Sequence, residues 1–232
     1  MISFIIPAHD EALLIGATLA SIRATADALA LAHEVIVVDD ASSDATGALA
    51  RAAGARVLRV EHRHIAATRN AGAQAARGDR LFFVDADTQV NAGVVRAALQ
   101  ALDSGAVGGG CTVQLPGLVA WHQRIALAVA LPVLRITRIA PGCFQFCTRA
   151  AFAATGGYDE RLYAAEDVVM SRALARLGRF VLLRESVLTS SRKLHTFSLR
   201  EHGYLLWHFV WHGPAILRSR DRLGLWYEKR RH

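Results

Sequence analysis

Two carboxylates one residue apart, Asp85 and Asp87, follow directly on the apolar run Leu81-Phe82-Phe83-Val84. Such a run reads as a strand buried on both faces, as inside a parallel sheet. If the backbone stays extended past it, side chains two apart point the same way and both carboxylates face one ligand. Acidic groups that close repel unless a cation neutralises them. Hard oxygen ligands suit Mn2+ or Mg2+, usually with substrate phosphates completing the shell. The plainer alternative is a polar loop in which one Asp caps the next helix. A second acidic pair, Asp39-Asp40, ends another apolar run, Glu34-Val35-Ile36-Val37-Val38. Two acidic strand ends point to one site at the carboxyl edge of a sheet, where open α/β sheets bind ligands. A third pair, Glu166-Asp167, opens a helical pattern, where it complements the helix dipole.

The elements that must position these groups alternate. Ile2 to Ile6 reads as a strand stopped by Pro7, and Leu13, Leu14, Leu19, Ile22 and Leu29 then recur at helical spacing. The second strand is followed by a helix capped by Ser42 or Ser43 and stopped at Gly54. Arg56 to Val60 makes a third strand, and a basic loop (Glu61-His62-Arg63-His64) leads into a helix from about Ala66 to Arg77, closed by Gly78. Further on come a helix from Asn91 to Leu102, a Gly-rich strand over Ala106 to Val113, and an amphipathic stretch from Leu118 to Ile139. Then follow a strand over Phe144 to Thr148, a short helix to Thr155, a helix from Glu166 to Leu177 and a strand from Phe180 to Leu183. Strands alternating with helices imply a mostly parallel sheet wound with right-handed crossovers. Neither Gly-x-Gly-x-x-Gly after the first strand nor a Gly-Lys-Ser/Thr loop is present, so phosphate must be handled by metal and isolated basic residues.

The 232 residues suit one large domain, and 53% hydrophobic against 20% charged residues excludes a disordered chain. Three cysteines with no Cys-x-x-Cys pair argue against a disulfide framework or structural zinc and fit a reducing cytoplasm. No signal peptide is visible, and the best membrane candidate, Ile125 to Leu134, is too short to span a bilayer. The formal charge of +7 is partly a matter of the last fifteen residues, a cluster that reads as a solvated end or as a peripheral contact with the inner face of a membrane.

Taken in order and spacing, several stretches resemble family 2 glycosyltransferases of the GT-A fold, from Ile2 to about Arg192. They are Phe4-Ile5-Ile6-Pro7-Ala8-His9-Asp10-Glu11, Val35 to Thr46 with its Asp39-Asp40, Arg69-Asn70-Ala71-Gly72, Val84-Asp85-Ala86-Asp87, Gly156-Gly157-Tyr158-Asp159-Glu160 and Ala165-Glu166-Asp167. The resemblance implies an α/β domain over 1–192 with a Rossmann-like nucleotide-binding half and an acceptor half. A basic, aromatic helical extension over 193–232 would pack on or adjoin it. It implies metal-dependent transfer of a sugar from a UDP- or GDP-sugar to an acceptor hydroxyl, with inversion. In the family the Asp-x-Asp motif holds the metal and the donor ribose, which assigns Asp85 and Asp87. The acidic pair after the second strand reads the base, pointing to Asp40 with Asp39 beside it; uracil and guanine both offer ring N–H donors. Pro7, Ala8 and Glu11 would complete the base and ribose pocket. Asp10 stands where the family usually has Asn. Inverting transfer needs a general base, assigned to Asp167 with Glu166 as alternate.

Arg69 is a candidate contact of the donor phosphates, the alternative being that Arg69 and Asn70 cap and solvate their helix. His195 or His202 could add a metal ligand. His208 and His212 lack the Glu of a His-Glu-x-x-His site and, interleaved with Trp207 and Trp211, read as an amphipathic face. Two other classes compete. A sugar-phosphate nucleotidyltransferase would carry a Gly-rich basic first loop, which Pro7-Ala8-His9-Asp10-Glu11 is not. A non-catalytic nucleotide-sugar-binding protein at a membrane surface would have no need of Glu166-Asp167. No nucleic-acid partner is implied.

Overall fold

The computed structural model describes residues 1–114, 140 and 142–190. The amphipathic 118–139 stretch, the four histidines named beyond residue 191 and the basic C-terminus lie outside the described residues. Among the described residues no helix is long and apolar enough to cross a membrane.

The first half repeats a strand–helix unit: β1 (Ile2–Ala8), α1 (Ile15–Ala28), β2 (His33–Asp40), α2 (Thr46–Ala52), β3 (Arg56–Val60), α3 (Ile65–Ala75) and β4 (Arg80–Val84). After the two-residue strand β5 (Thr88–Gln89) come α4 (Ala92–Asp103), β6 (Gly108–Gln114), β7 (Phe144–Thr148), α5 (Arg149–Thr155), α6 (Glu166–Leu177) and β8 (Phe180–Thr189). The strands form one sheet in the order β3-β2-β1-β4-β7-β6-β8-β5. β3, β2, β1 and β4 are mutually parallel, β7 runs antiparallel to both neighbours, and β6 and β8 are parallel to each other. The expected mostly parallel α/β sheet is therefore present, with β7 reversed at its middle and the short β5 reversed at its edge.

Side-chain alternation divides the core between the two faces of this sheet. Phe4, Ile6, Phe82 and Val84 pack with Ile15, Leu19 and Ile22 of α1 and Val94, Val95 and Ala98 of α4. Ile5, Ile36, Val38, Leu81 and Phe83 face the other way, onto Ala66 and Ala73 of α3 and Met170 and Leu174 of α6. Gly72 lets α3 lie close to the sheet, since a Cβ there would stand 2.4 Å from Ile5 Cγ2. At the centre, the Phe82 ring lies 5.5 Å from that of Phe4 and 5.8 Å from those of Phe144 and Phe146. Phe82 is fully buried. Phe82→Ala is expected to cost about 3–5 kcal/mol, read as a lower urea midpoint at unchanged slope.

Four boundaries differ from the sequence expectation. β1 continues through Pro7 to Ala8 in register with Val38 and Asp39 of β2; on its other side the β4 ladder ends at Ile5, so a residue without N–H breaks no bond there. The start of α2 is held by Asp44, whose Oδ1 accepts from Thr46 N at 2.9 Å, while Ser42 Oγ accepts instead from Asp10 N. α3 ends at Ala75, because Ala76 turns to extended backbone and Gly78 N donates to Ser3 Oγ. β8 runs six residues past Leu183, since pairing resumes with Thr112 to Gln114 after an irregularity and then continues with β5.

Candidate active site

The carboxyl ends of the four parallel strands and the start of β7 lie at one edge of the sheet, and a cavity of about 690 Å³ opens there. It brings together nine of the ten residues singled out from the sequence: Pro7, Ala8, Glu11, Asp40, Arg69, Asp85, Asp87, Glu166 and Asp167. The tenth, Asp39, does not line it. Neighbouring strand residues point to opposite faces, and Asp39 turns toward the start of α2, accepting from Ser42 N at 3.1 Å with Arg59 Nη1 3.9 Å away.

The first wall joins the loops after β1 and β2. Asp10 sits in the left-handed region at φ 53°, which Asp and Asn tolerate better than other residues with side chains. Its Oδ1 accepts from Ser43 N at 2.6 Å and from Ser43 Oγ at 3.1 Å. Glu11 N donates to Thr46 Oγ1 at 2.8 Å, and one nitrogen of His9 pairs with Asp40 O at 2.7 Å. Asp10, where the family has Asn, thus latches two loops together.

The second wall is the loop into α3. The carboxylate of Asp40 accepts from Arg63 N (2.7 Å), His64 N (3.0 Å) and Thr68 Oγ1 (2.7 Å). Burial, which by itself raises the pKa, is outweighed by these bonds, and the carboxyl is held below its ordinary value. His64 caps α3, accepting from Ala67 N through Nδ1. Burial lowers its pKa, so the ring is neutral, and its Nε2 has no partner among the described residues.

The third wall carries the acidic motif. Its backbone leaves the extended path expected from the sequence: Thr88 N donates to Asp85 O in a turn, and Asp85 N donates to Cys143 O at 3.1 Å. Both carboxylates nevertheless reach the cavity. Thr88 and Thr189 hydroxyls stand 3.5 Å from Asp87 Oδ1, and Ser190 N donates to Asp87 O, so the end of β8 braces the motif.

The fourth wall is the first turn of α6. Ala165, just before it, is left-handed at φ 61°, a strained conformation for a residue with a Cβ. Glu166 is buried and its Oε1 accepts from Arg69 Nη1 at 2.6 Å. Asp167 reaches the cavity surface, but its carboxyl is largely desolvated. That burial, with the charges of Glu166 and Asp85, pushes its pKa up to about 6 against the opposing effect of Arg69. Buried Gln145 donates through Nε2 to Asp167 O at 3.1 Å and to Ser171 Oγ at 3.1 Å, while its Oε1 accepts from Tyr158 Oη.

Arg69 lies at the centre, and almost none of it is exposed. Its Nη1 donates to Glu166, and its Nη2 donates to Asp85 Oδ1 at 2.8 Å and Gly142 O at 3.0 Å. Neighbouring Asn70 exchanges hydrogen bonds with the backbone of Tyr158 and donates to Glu160 Oε1. The turn of residues 156–160 is thereby tied to α3.

Sequence reasoning passed over Gln145, Thr68, Tyr163, Gly142 and Cys143. Gln145 had a signal, being a polar residue alternating with Phe144 and Phe146 in an apolar strand. The cysteines are all free, and burial pushes the Cys111 and Cys147 thiols up to about 12 and that of Cys143 well up, consistent with inert packing residues.

The family model described as "Glycosyl transferase family 2" matches residues 3–154. Among solved structures, Staphylococcus aureus TarS residues 1–349 superposes with a TM-score of 0.65 at 18% identity, covering 97% of this chain and 77% of that one. The chain spans about half of the longer TarS structure, 47%. PcManGT, a mannosyltransferase of Pyrobaculum calidifontis in complex with GDP-Man and Mn2+, gives 0.69 at 19%, covering 97% and 68%. Glucosyl-3-phosphoglycerate synthase of M. tuberculosis gives 0.57 at 22%, covering 82% and 71%. No curated protein matches the chain. At these identities the neighbours establish the GT-A fold, and the family model covers well over half of the chain. The chain therefore belongs to glycosyl transferase family 2, as a glycosyltransferase with the GT-A fold.

Proposed function

We propose that the protein transfers a sugar from a uridine or guanosine diphosphate sugar to an acceptor hydroxyl, with inversion. The observation that carries this reading is the convergence of Asp85, Asp87 and a base-competent Asp167 on one cavity of about 690 Å³. That volume suits a small-molecule ligand of nucleotide-sugar size. TarS has been solved with UDP-GlcNAc and PcManGT with GDP-Man and Mn2+, which supports a nucleotide-sugar donor for this chain as well.

The donor set fits a divalent ion. Two hard carboxylates meet at one turn, which is the number that Mg2+ or Mn2+ commonly takes from a protein when substrate phosphates supply the rest. Among the described residues no third His, Cys, Asp or Glu joins them in a cluster. Asp85 and Asp87 would hold the ion, which when bound neutralises the negative charge developing on the leaving diphosphate. Pro7, Ala8, Glu11 and Asp40 would surround the base and ribose, with Asp39 supporting the backbone behind Asp40. Asp167 takes the acceptor proton as the acceptor oxygen bonds to the anomeric carbon and the carbon–oxygen bond to the diphosphate breaks. Glu166, engaged by Arg69, is the weaker candidate for that step.

A panel of nucleotide sugars with Mn2+ tests the reading by thermal unfolding. A donor at about 100 times its Kd stabilises by about 2.7 kcal/mol, or roughly 5–10 °C for a chain of this size. The expected result is such a shift for uridine or guanosine diphosphate sugars. No shift with any member overturns the proposal.

A further inference from the structure

We infer that Arg69 is a positioning residue: its guanidinium clamps the Asp85 turn to Glu166 and so holds Asp167 against the donor cavity, and it does not bind the donor phosphates. The assignment rests on the glycosyltransferase reading of the cavity and deepens it.

Both terminal nitrogens of Arg69 are engaged inside the protein, and its Nε, which has no partner among the described residues, is buried. One Nη is taken by Glu166 at 2.6 Å, the other by Asp85 at 2.8 Å and by Gly142 O at 3.0 Å. The guanidinium carbon lies 5.3 Å from the centre of the Tyr158 ring, which covers it. A cation this deep is costly unless paired, and breaking a buried pair is strongly destabilising. The partners come from three separate elements, the turn after β4, the turn before β7 and the start of α6. A planar fork can join such groups where an ammonium, a single point charge, cannot.

Gly142 shows how tight the junction is. A Cβ at this position would stand 3.0 Å from Asp167 Oδ2 and 3.3 Å from Arg69 Nη2. The Asp167 backbone carbonyl is fixed by Gln145, and its helix is fixed by Glu166. Arg69 therefore sets the base through its neighbour.

The test uses the full chain, with carbon-13 NMR of the Asp167 carboxyl and calorimetry of UDP and GDP with Mn2+. In Arg69→Gln the Asp167 titration midpoint is expected to rise by about one unit, as when a nearby cation is removed. Affinity for the nucleoside diphosphate that the wild type binds should change less than about fivefold, because no phosphate contact is lost. Arg69→Lys, which keeps the charge without the fork, serves if the Gln variant does not fold. It should leave the affinity similarly intact and shift the midpoint less. An unmoved midpoint in a folded Arg69→Gln protein overturns the clamp. Loss of affinity by more than about fiftyfold makes Arg69 a donor contact and overturns it too. A wild type that binds neither nucleotide fails the functional reading itself, and the assignment falls with it; a wild type that binds, with an unmoved midpoint, sinks Arg69 alone.

Discussion

Asp167→Asn should leave UDP or GDP binding within about twofold and lower transfer by roughly 10²–10⁴, the usual contribution of a positioned base. The amide keeps the shape and can still accept from Val168 N, which donates to Asp167 Oδ1 at 2.8 Å, but it cannot take a proton. In the wild type the base form is needed, so activity should fall as pH drops through about 6, the value to which burial and Glu166 raise this carboxyl. The sign for stability is opposite. A carboxyl whose folded pKa is raised favours the folded state when protonated, and that contribution is lost as pH rises from the unfolded value through about 6. At pH 7.5 the wild type carries the cost of a desolvated charge that the Asn variant lacks. Asp167→Asn should therefore melt higher than wild type by roughly 2–4 °C for each kcal/mol relieved. Kinetics at pH 5–9 and melting of both proteins check the pair of signs; near-normal turnover of the variant would remove Asp167 as the base.

Asp87→Ala should abolish Mn2+-dependent binding of the nucleoside diphosphate while the fold survives. Asp87 is held by Thr88, Thr189 and the Ser190 amide, and the core beneath is formed by Val84 and Phe82. Losing one of two hard ligands from a metal–phosphate site removes most of what binds the diphosphate, so a drop of at least about 100-fold is expected. Calorimetry with and without Mn2+ separates this from a base-pocket effect: metal-free affinity should be equal in the two proteins. Unchanged affinity in the presence of metal would eliminate the assignment. Asp85→Ala is a poorer probe, because it also strips Arg69 of a partner.

Much of the architecture was legible because each parallel strand is a short apolar run ending in polar or small residues, and each helix follows at once. Ile36-Val37-Val38-Asp39-Asp40 and Leu81-Phe82-Phe83-Val84-Asp85 declare both the strand and the edge on which its ligand lies. Less legible was anything that depends on partners distant in the chain. Which member of Asp39-Asp40 faces the cavity is a matter of strand phase, decided by the pairing of β2 with β1 and β3. From the sequence Arg69 reads as a contact of the donor phosphates or as a solvated residue of its helix; only the arrival of Asp85 and Glu166, sixteen and ninety-seven residues away, makes it an internal cation. Gln145 is similar, for its amide has meaning only once α6 is packed beside β7. The turn at Asp85-Ala86-Asp87, in place of extended chain, follows from the Asp85 bond to Cys143, another long-range contact.

The reversed central strand, β7, has a consequence for how the enzyme can change over time. Because β7 opposes β4 and β6, its start lies at the same edge as the ends of β4, β6 and β8. The end of β6 at Gln114, the start of β7 at Phe144 and the end of β8 at Thr189 therefore all lie at the edge of the sheet that bears the cavity. Insertions where β6 ends or β7 begins enter at this edge and leave the strands leading to Asp40, Asp85 and Asp87 uninterrupted. The rim of the cavity can thus vary in sequence while the strands beneath it stay intact.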